Sequence, residues 1–221
     1  MLVEAERLTK FFGVRPVFRN LDFRVEAGEV VLVLGENGSG KSTLLRILAG
    51  LLRPSAGRLH VAAASGEIGY VGHQPHVYPG LSAWQNLRFW SRLHGKPPDR
   101  ERMEEVLCRF GLERVQHEPV ALFSRGMLQR LSLARIQCLA PVLYLLDEPS
   151  TGLDTSSREV LNGLIREVRG GDRAVLWVSH DPDRDMALAA KTVRLSGPGG
   201  GTGKAWGAAR PESAVAGTQQ G

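Results

Sequence analysis

Three runs of the chain are apolar at every position: Val30–Leu34 (VVLVL), Val142–Leu146 (VLYLL) and Ala174–Val178 (AVLWV). A strand with one wet face alternates, so an unbroken apolar run must bury both faces. Helical periodicity separates the runs. The expected fold class is α/β, a mostly parallel sheet flanked by helices on both sides. Leu2–Leu8 and Val17–Val25 alternate more and are expected to be antiparallel N-terminal strands extending that sheet. From about Trp84 to Ala140 the pattern is helical without a strand run, which predicts an inserted helical subdomain at about 84–140. Gly197–Gly221 is dominated by Gly, Ala, Ser and Thr and has little to bury. It is expected to be a disordered tail behind a single domain of residues 1–196. No internal repeat is visible.

Composition narrows the class only mildly. A chain of 221 residues, 43% hydrophobic and 23% charged, has the balance of an ordinary soluble globular protein with a sizeable core. The net charge of +5 is scattered, without a block of like charges. It tolerates phosphates or an anionic membrane surface and demands neither. The opening MLVEAERLTK carries acids and no apolar stretch, unlike a signal peptide. No apolar run approaches membrane-spanning length, so service to a membrane would run through a partner. Cys108 and Cys138 sit in helix-like apolar patterns and read as buried reduced thiols.

The chemistry begins after the first strand run. Gly35-Glu36-Asn37-Gly38-Ser39-Gly40-Lys41-Ser42-Thr43 fits G-x-x-x-x-G-K-[ST] and leads into the helical run STLLRILAGLL. Strand, glycine-rich loop and helix in that order form an anion cradle. The glycines let backbone N–H groups approach phosphate oxygens, and the helix offers its positive end. Lys41 would neutralise β- and γ-phosphates, and Ser42 would ligate Mg²⁺. A nucleoside triphosphate is therefore expected, of a base that the loop does not specify. The second long run ends in Asp147 and Glu148. At the mouth of the sheet, Asp147 is placed to hold Mg²⁺ through water and Glu148 to act as general base toward an attacking water.

The loop, Gln74, 123-FSRGMLQR-130, 145-LLDEP-149, 152-GLD-154 and 178-VSH-180 occur in the order found in ATP-binding-cassette (ABC) ATPases, which the chain resembles over about Leu2 to Leu195. The resemblance implies ATP and Mg²⁺ as cofactors. It also implies a head-to-tail homodimer (or a pair with a second ATP-binding subunit) in which each phosphate loop faces the other subunit's signature motif. Ser124 and Gly126 match that motif, while Arg125 and Met127 depart from its usual Leu-Ser-Gly-Gly-Gln. Ser124 is independently a good helix N-cap, with Leu128, Leu131, Ala134, Ile136 and Leu139 marking the buried face of the helix it opens. The resemblance gives His180 the γ-phosphate and the catalytic water, Asp154 the subunit interface, Phe12 (or Phe11) the adenine, and Gln74 the Mg²⁺ and water at a hinge to the helical lobe. It further implies an integral-membrane transporter subunit as partner, a peripheral place on the cytoplasmic membrane face, and no nucleic acid.

His73 and His76 flank Gln74-Pro75 and could suggest a metal pair. Spacing of three across a proline is not a helical ligand spacing, and no cysteine or acid cluster is near, so both read as structural. The aromatics Tyr78, Trp84, Phe89 and Trp90 divide between lobe core and, by the resemblance, a groove for the membrane subunit. The wording GHQP followed by LSAWQNL resembles ATP-binding subunits of haem exporters in cytochrome c-type biogenesis, whereas FSRGM resembles signatures of drug, polysaccharide or lipid exporters. A soluble iron–sulfur-assembly ATPase of the same family is the alternative of a different class. A nucleotide kinase or GTPase sharing only the loop is disfavoured by the signature and His180.

Overall fold

The computed structural model describes residues 1–179, 181–196 and 205–206. Its centre is a six-stranded sheet of order β5-β6-β7-β3-β8-β9: β5 (Ile68–Val71), β6 (Leu143–Asp147), β7 (Ala174–Val178), β3 (Val30–Leu34), β8 (Lys191–Arg194) and β9 (Ala205–Trp206). The first five are parallel and β9 is antiparallel to β8. The unbroken apolar runs are explained by where alternate side chains go. Val30, Leu32, Tyr144, Leu146, Val175 and Trp177 enter one core. Their neighbours Val31, Val33, Leu143, Leu145, Ala174, Leu176 and Val178 enter a second core on the opposite face. Period two persists along each strand, but both phases are apolar because both faces are covered.

The second core holds α1 (Lys41–Leu48), whose Leu44, Leu45, Ile47 and Leu48 are all buried. Its outer cover corrects one expectation. β1 (Val3–Phe12) and β2 (Arg15–Val25) pair with each other and with β4 (Ala56–Val61) in a separate antiparallel sheet of order β2-β1-β4. Val3, Ala5, Leu8, Phe18, Leu21 and Phe23 face the same core as α1. The sheet is therefore a layer over α1 rather than an extension of the parallel edge. Burying an alternating strand needs only one covered face.

The first core is closed by α2 (Ala83–Leu93), α3 (Arg100–Arg109), α4 (Arg125–Leu139) and α5 (Thr155–Val168). Helices α2 and α3 start where their caps dictate. The Ser82 hydroxyl accepts from the Gln85 N–H at 3.2 Å while Gln85 reaches back to the Ser82 N–H at 2.9 Å, and Asp99 accepts from the Arg102 N–H. Helix α4 differs from its expected single buried face: Leu131 through Ile136 are buried consecutively, because α2, α3 and the sheet surround it. Cys108 is exposed rather than buried, since α3 turns Met103, Val106 and Leu107 inward. Both cysteines are free thiols, and Cys138 is partly buried. Within 197–221, expected to lack structure, Ala205–Trp206 pair with Thr192–Val193. The rest of that stretch lies outside the described residues.

Candidate active site

The parallel strands β3 and β6 run in the same direction and bring the phosphate loop and Asp147 to the same end of the sheet. β3 runs into Gly35, whose φ of 148° and tight surroundings both require glycine: a Cβ would lie 2.6 Å from the Leu195 carbonyl oxygen. At Gly40 (φ 101°) a Cβ would meet Val17 Cγ1 at 2.5 Å, so the loop packs directly on β2. Helix α1 then begins with Gly40 as its N-cap and no side-chain cap on its first turn. Its leading N–H groups are left for an anion, and none of the first-turn residues is acidic. Lys41 Nζ donates to the carbonyls of Gly35 at 2.7 Å and Glu36 at 3.0 Å, which folds its ammonium over the loop it would serve.

Asp147 closes β6 beside this loop and is 2% exposed. Its Oδ1 accepts from the Ser42 hydroxyl at 3.1 Å, and its Oδ2 is buried without a partner. Burial raises its pKa above the ordinary carboxylate value, while the Ser42 bond works in the opposite direction. A buried carboxylate oxygen without a donor, next to a serine hydroxyl, is an all-oxygen set that fits Mg²⁺ with water completing the shell. Glu148 follows in a left-handed conformation (φ 52°), unusual for glutamate, and its N–H donates to the Val178 carbonyl at 2.9 Å. That kink turns the side chain out of the strand. Glu148 lines two cavities at once. One, of about 400 Å³, is bounded by Phe12, Asn37, Lys41 and Ser42. The other, of about 70 Å³, is bounded by His73, Pro75, Arg125, Gln129 and Asp147.

Phe12 therefore stands where a base can reach it: it is 54% exposed and lines the larger cavity, which Phe11 does not. Gln74 is exposed in the segment after β5, and its neighbours Gly72, His73 and Pro75, rather than Gln74, line the smaller cavity. Ser124 caps α4, accepting from the Met127 N–H at 3.3 Å, and stays exposed. A Cβ on Gly126 would come within 2.9 Å of the Gly152 carbonyl oxygen, which holds the two loops close. Neither Ser124 nor Gly126 borders the Lys41 cavity of its own chain. Asp154 caps α5, its Oδ1 accepting from the Ser157 N–H at 2.8 Å and the Ser156 hydroxyl at 3.0 Å. Those donors lower its pKa to about 2. His180 lies outside the described residues.

Two residues here were given no role in the site by the reading of the sequence. Gln129, buried in α4, donates from Nε2 to the Pro149 carbonyl at 2.9 Å and ties the signature helix to the loop after Glu148. Arg125, the departure within the signature, lines the smaller cavity with Asp147 and Glu148. Gln129 left one signal, an amide among positions that turn out to be buried.

The ABC transporter family pattern matches residues 18–151, from β2 through the Asp147–Glu148 turn. The chain belongs to the ABC transporter family. It is an ATP-binding, ATP-hydrolysing cassette. The Bradyrhizobium diazoefficiens cytochrome c biogenesis ATP-binding export protein CcmA is 39% identical over 205 residues, covering 89% of this chain and 99% of that protein. A CcmA of Cupriavidus metallidurans is 38% identical, covering 86% and 96%. A solved ATP-binding subunit of an ABC transporter superposes with a TM-score of 0.85 at 27% identity, over 94% of this cassette and 90% of that chain. A dimeric ATP-binding cassette in a post-hydrolysis state with ADP and phosphate has the same fold, with a TM-score of 0.80 at 24% identity over 88% and 94%. Among the described residues of the cassette, no helix is long and apolar enough to cross a membrane.

Proposed function

We propose that this cassette is the ATPase of a haem exporter for cytochrome c biogenesis, acting as a head-to-tail homodimer on a separate integral-membrane subunit from the cytoplasmic face. Export for cytochrome c biogenesis is supported by the names of relatives that match this chain over nearly their full length, and haem as the cargo rests on the GHQP and LSAWQNL wording of the sequence. The dimer reading is supported by a single observation: the start of α4, with Ser124 as its cap and Gly126 in its first turn, lies away from the Lys41 cavity of its own chain. A second copy turned head to tail would bring its Ser124 and Gly126 onto the γ-phosphate.

In this reading Phe12 stacks on adenine, and residues Gly35–Thr43 hold the phosphates by backbone N–H groups and the Lys41 ammonium. Ser42, Asp147 and Gln74 would hold Mg²⁺, which would offset the negative charge of the phosphates when bound. Glu148 takes a proton from water as its oxygen attacks the γ-phosphorus and ADP departs with the bond electrons. His180 orients that water, and Asp154 lies at the dimer seam. Closure on two ATP and reopening after hydrolysis would drive the membrane subunit between its two orientations. The exposed pair Tyr78 and Phe89, with ring centroids 4.6 Å apart, offers that subunit a docking patch.

Glu148→Gln tests the core of the proposal. Turnover should fall by about 10²-fold or more, ATP binding should persist, and gel filtration with Mg-ATP should move the protein from monomer to dimer. A variant that stays monomeric with ATP even beside its membrane subunit refutes the sandwich. Arg125 and Met127 in the signature favour a second reading, an exporter of another cargo such as a drug, polysaccharide or lipid. Co-purification from native membranes with haem-handling proteins, or with none, separates the two.

A further inference from the structure

Arg135 is a cation in the middle of α4 and only 5% exposed. Its guanidinium carbon stands 4.5 Å from the ring centroid of Trp90 on α2. Its Nη2 donates to the Tyr70 carbonyl of β5 at 2.9 Å, and its Nε is buried without a partner. Burial lowers its pKa to about 10, so it stays charged near neutrality. One hydrogen bond and one aromatic face are meagre compensation for a buried cation. A hydrophobic side chain of similar volume would fill the site without the desolvation cost. Core filling alone therefore does not account for an arginine here.

Its contacts suggest what does. Outward, Trp90 packs on Phe89 at 5.8 Å and Tyr78 at 6.3 Å between ring centroids, the two aromatics that emerge at the surface. Inward, Tyr70 lies on the strand that leads directly into the Gln74 segment, and its ring faces His76 at 5.9 Å. Along its own helix, α4 begins at the Ser124 cap. One planar group thus touches the lobe helix and the hinge strand from the signature helix. Its fork of donors and its flat face meet a carbonyl and a ring together, which an ammonium does less well.

We propose that Arg135 is a positioning residue that couples the exposed aromatic patch to the Gln74 hinge, so that nucleotide at the phosphate loop and a partner at the patch bias the same junction. The outer end rests on the docking patch proposed above; the inner half belongs to the isolated chain. Shared contacts become coupling only if a change at one end is felt at the other, and that can be measured without any partner.

The chain has 4 tryptophans. Fluorotryptophan labelling and fluorine NMR, with Trp90→Phe to assign the Trp90 resonance, report on the junction. In the Glu148→Gln background, Mg-ATP should shift the Trp90 resonance. Arg135→Met should abolish that shift with ATP affinity unchanged. Arg135→Lys, which keeps charge and length, should lose at least about half of it. A full shift in either variant overturns the proposal, as does a Trp90 resonance that ignores ATP in the parent. If Arg135→Met fails to fold, Arg135→Lys decides alone. A chain that never co-purifies with a membrane subunit, but whose Trp90 follows ATP through Arg135, would refute the docking reading and leave the junction standing.

Discussion

Asp147 concentrates the conflict at the residue scale. It is buried with a raised pKa and an unpartnered oxygen, so in the metal-free protein its charge works against folding. The sign follows from the raised folded-state pKa. The favourable contribution is complete below the unfolded pKa, near 3.8, and is lost as pH rises through the higher folded value. Asp147→Asn, which keeps the acceptor for Ser42, should therefore raise the metal-free melting temperature at pH 7 by roughly 2–4 °C. The same change should erase stabilisation by added Mg²⁺, and a thermal melt with and without Mg²⁺ checks both. Lys41→Ala removes the ammonium folded over the phosphate loop. ATP titration should then weaken by about tenfold or more, since a charge-assisted contact of about 1.5–3 kcal/mol disappears. The phosphate loop was fully legible in the sequence because its geometry is local: strand, turn and helix follow one another without a break. The kink at Glu148 was not, since its φ of 52° depends on the bond from Glu148 N–H to Val178 across the sheet.

Elements place these residues, and the caps carry much of that work. Asp154 was expected only at a subunit seam, and the structure also makes it the start of α5. Its pKa of about 2 lies below the ordinary 3.8. Its stabilisation is therefore present above pH 3.8 and fades as pH falls through about 2. Asp154→Ala should lower the melting temperature at pH 6, and the gap to the parent should narrow steadily as the sample is acidified through that window. Asp154→Ser, which retains an acceptor for the Ser157 N–H, should recover most of the loss. Helix α4 shows where sequence patterning stops. Ser124 was legible as its cap, but its apolar positions suggested one buried face. Arg135 and Gln129 are buried because α2, α3, β5 and the loop after Glu148 surround the helix, which no periodicity within α4 records.

At the scale of the molecule, the parallel sheet divides two cores and delivers Lys41, Ser42, Asp147 and Glu148 to one edge. Tyr78 and Phe89 are exposed and line neither of the two cavities that Glu148 borders. Phe89→Glu should leave ATP hydrolysis by the free chain unchanged while removing co-purification with the membrane subunit proposed above. Loss of hydrolysis in the free chain would instead mark Phe89 as a structural part of the lobe.

The doubly apolar strands, the phosphate loop, the paired acids and the Ser124 cap follow from neighbouring residues alone, because each requires only short-range geometry or a period of two or 3.6. Which sheet covers α1 could not be read that way. Nor could the strands β4, β5 and β8, whose few buried positions carry no strong pattern. The same holds for the charge of Arg135, enclosed by parts of the chain far from it in sequence. Burial is decided by what arrives from elsewhere, and only the folded chain brings those surfaces together.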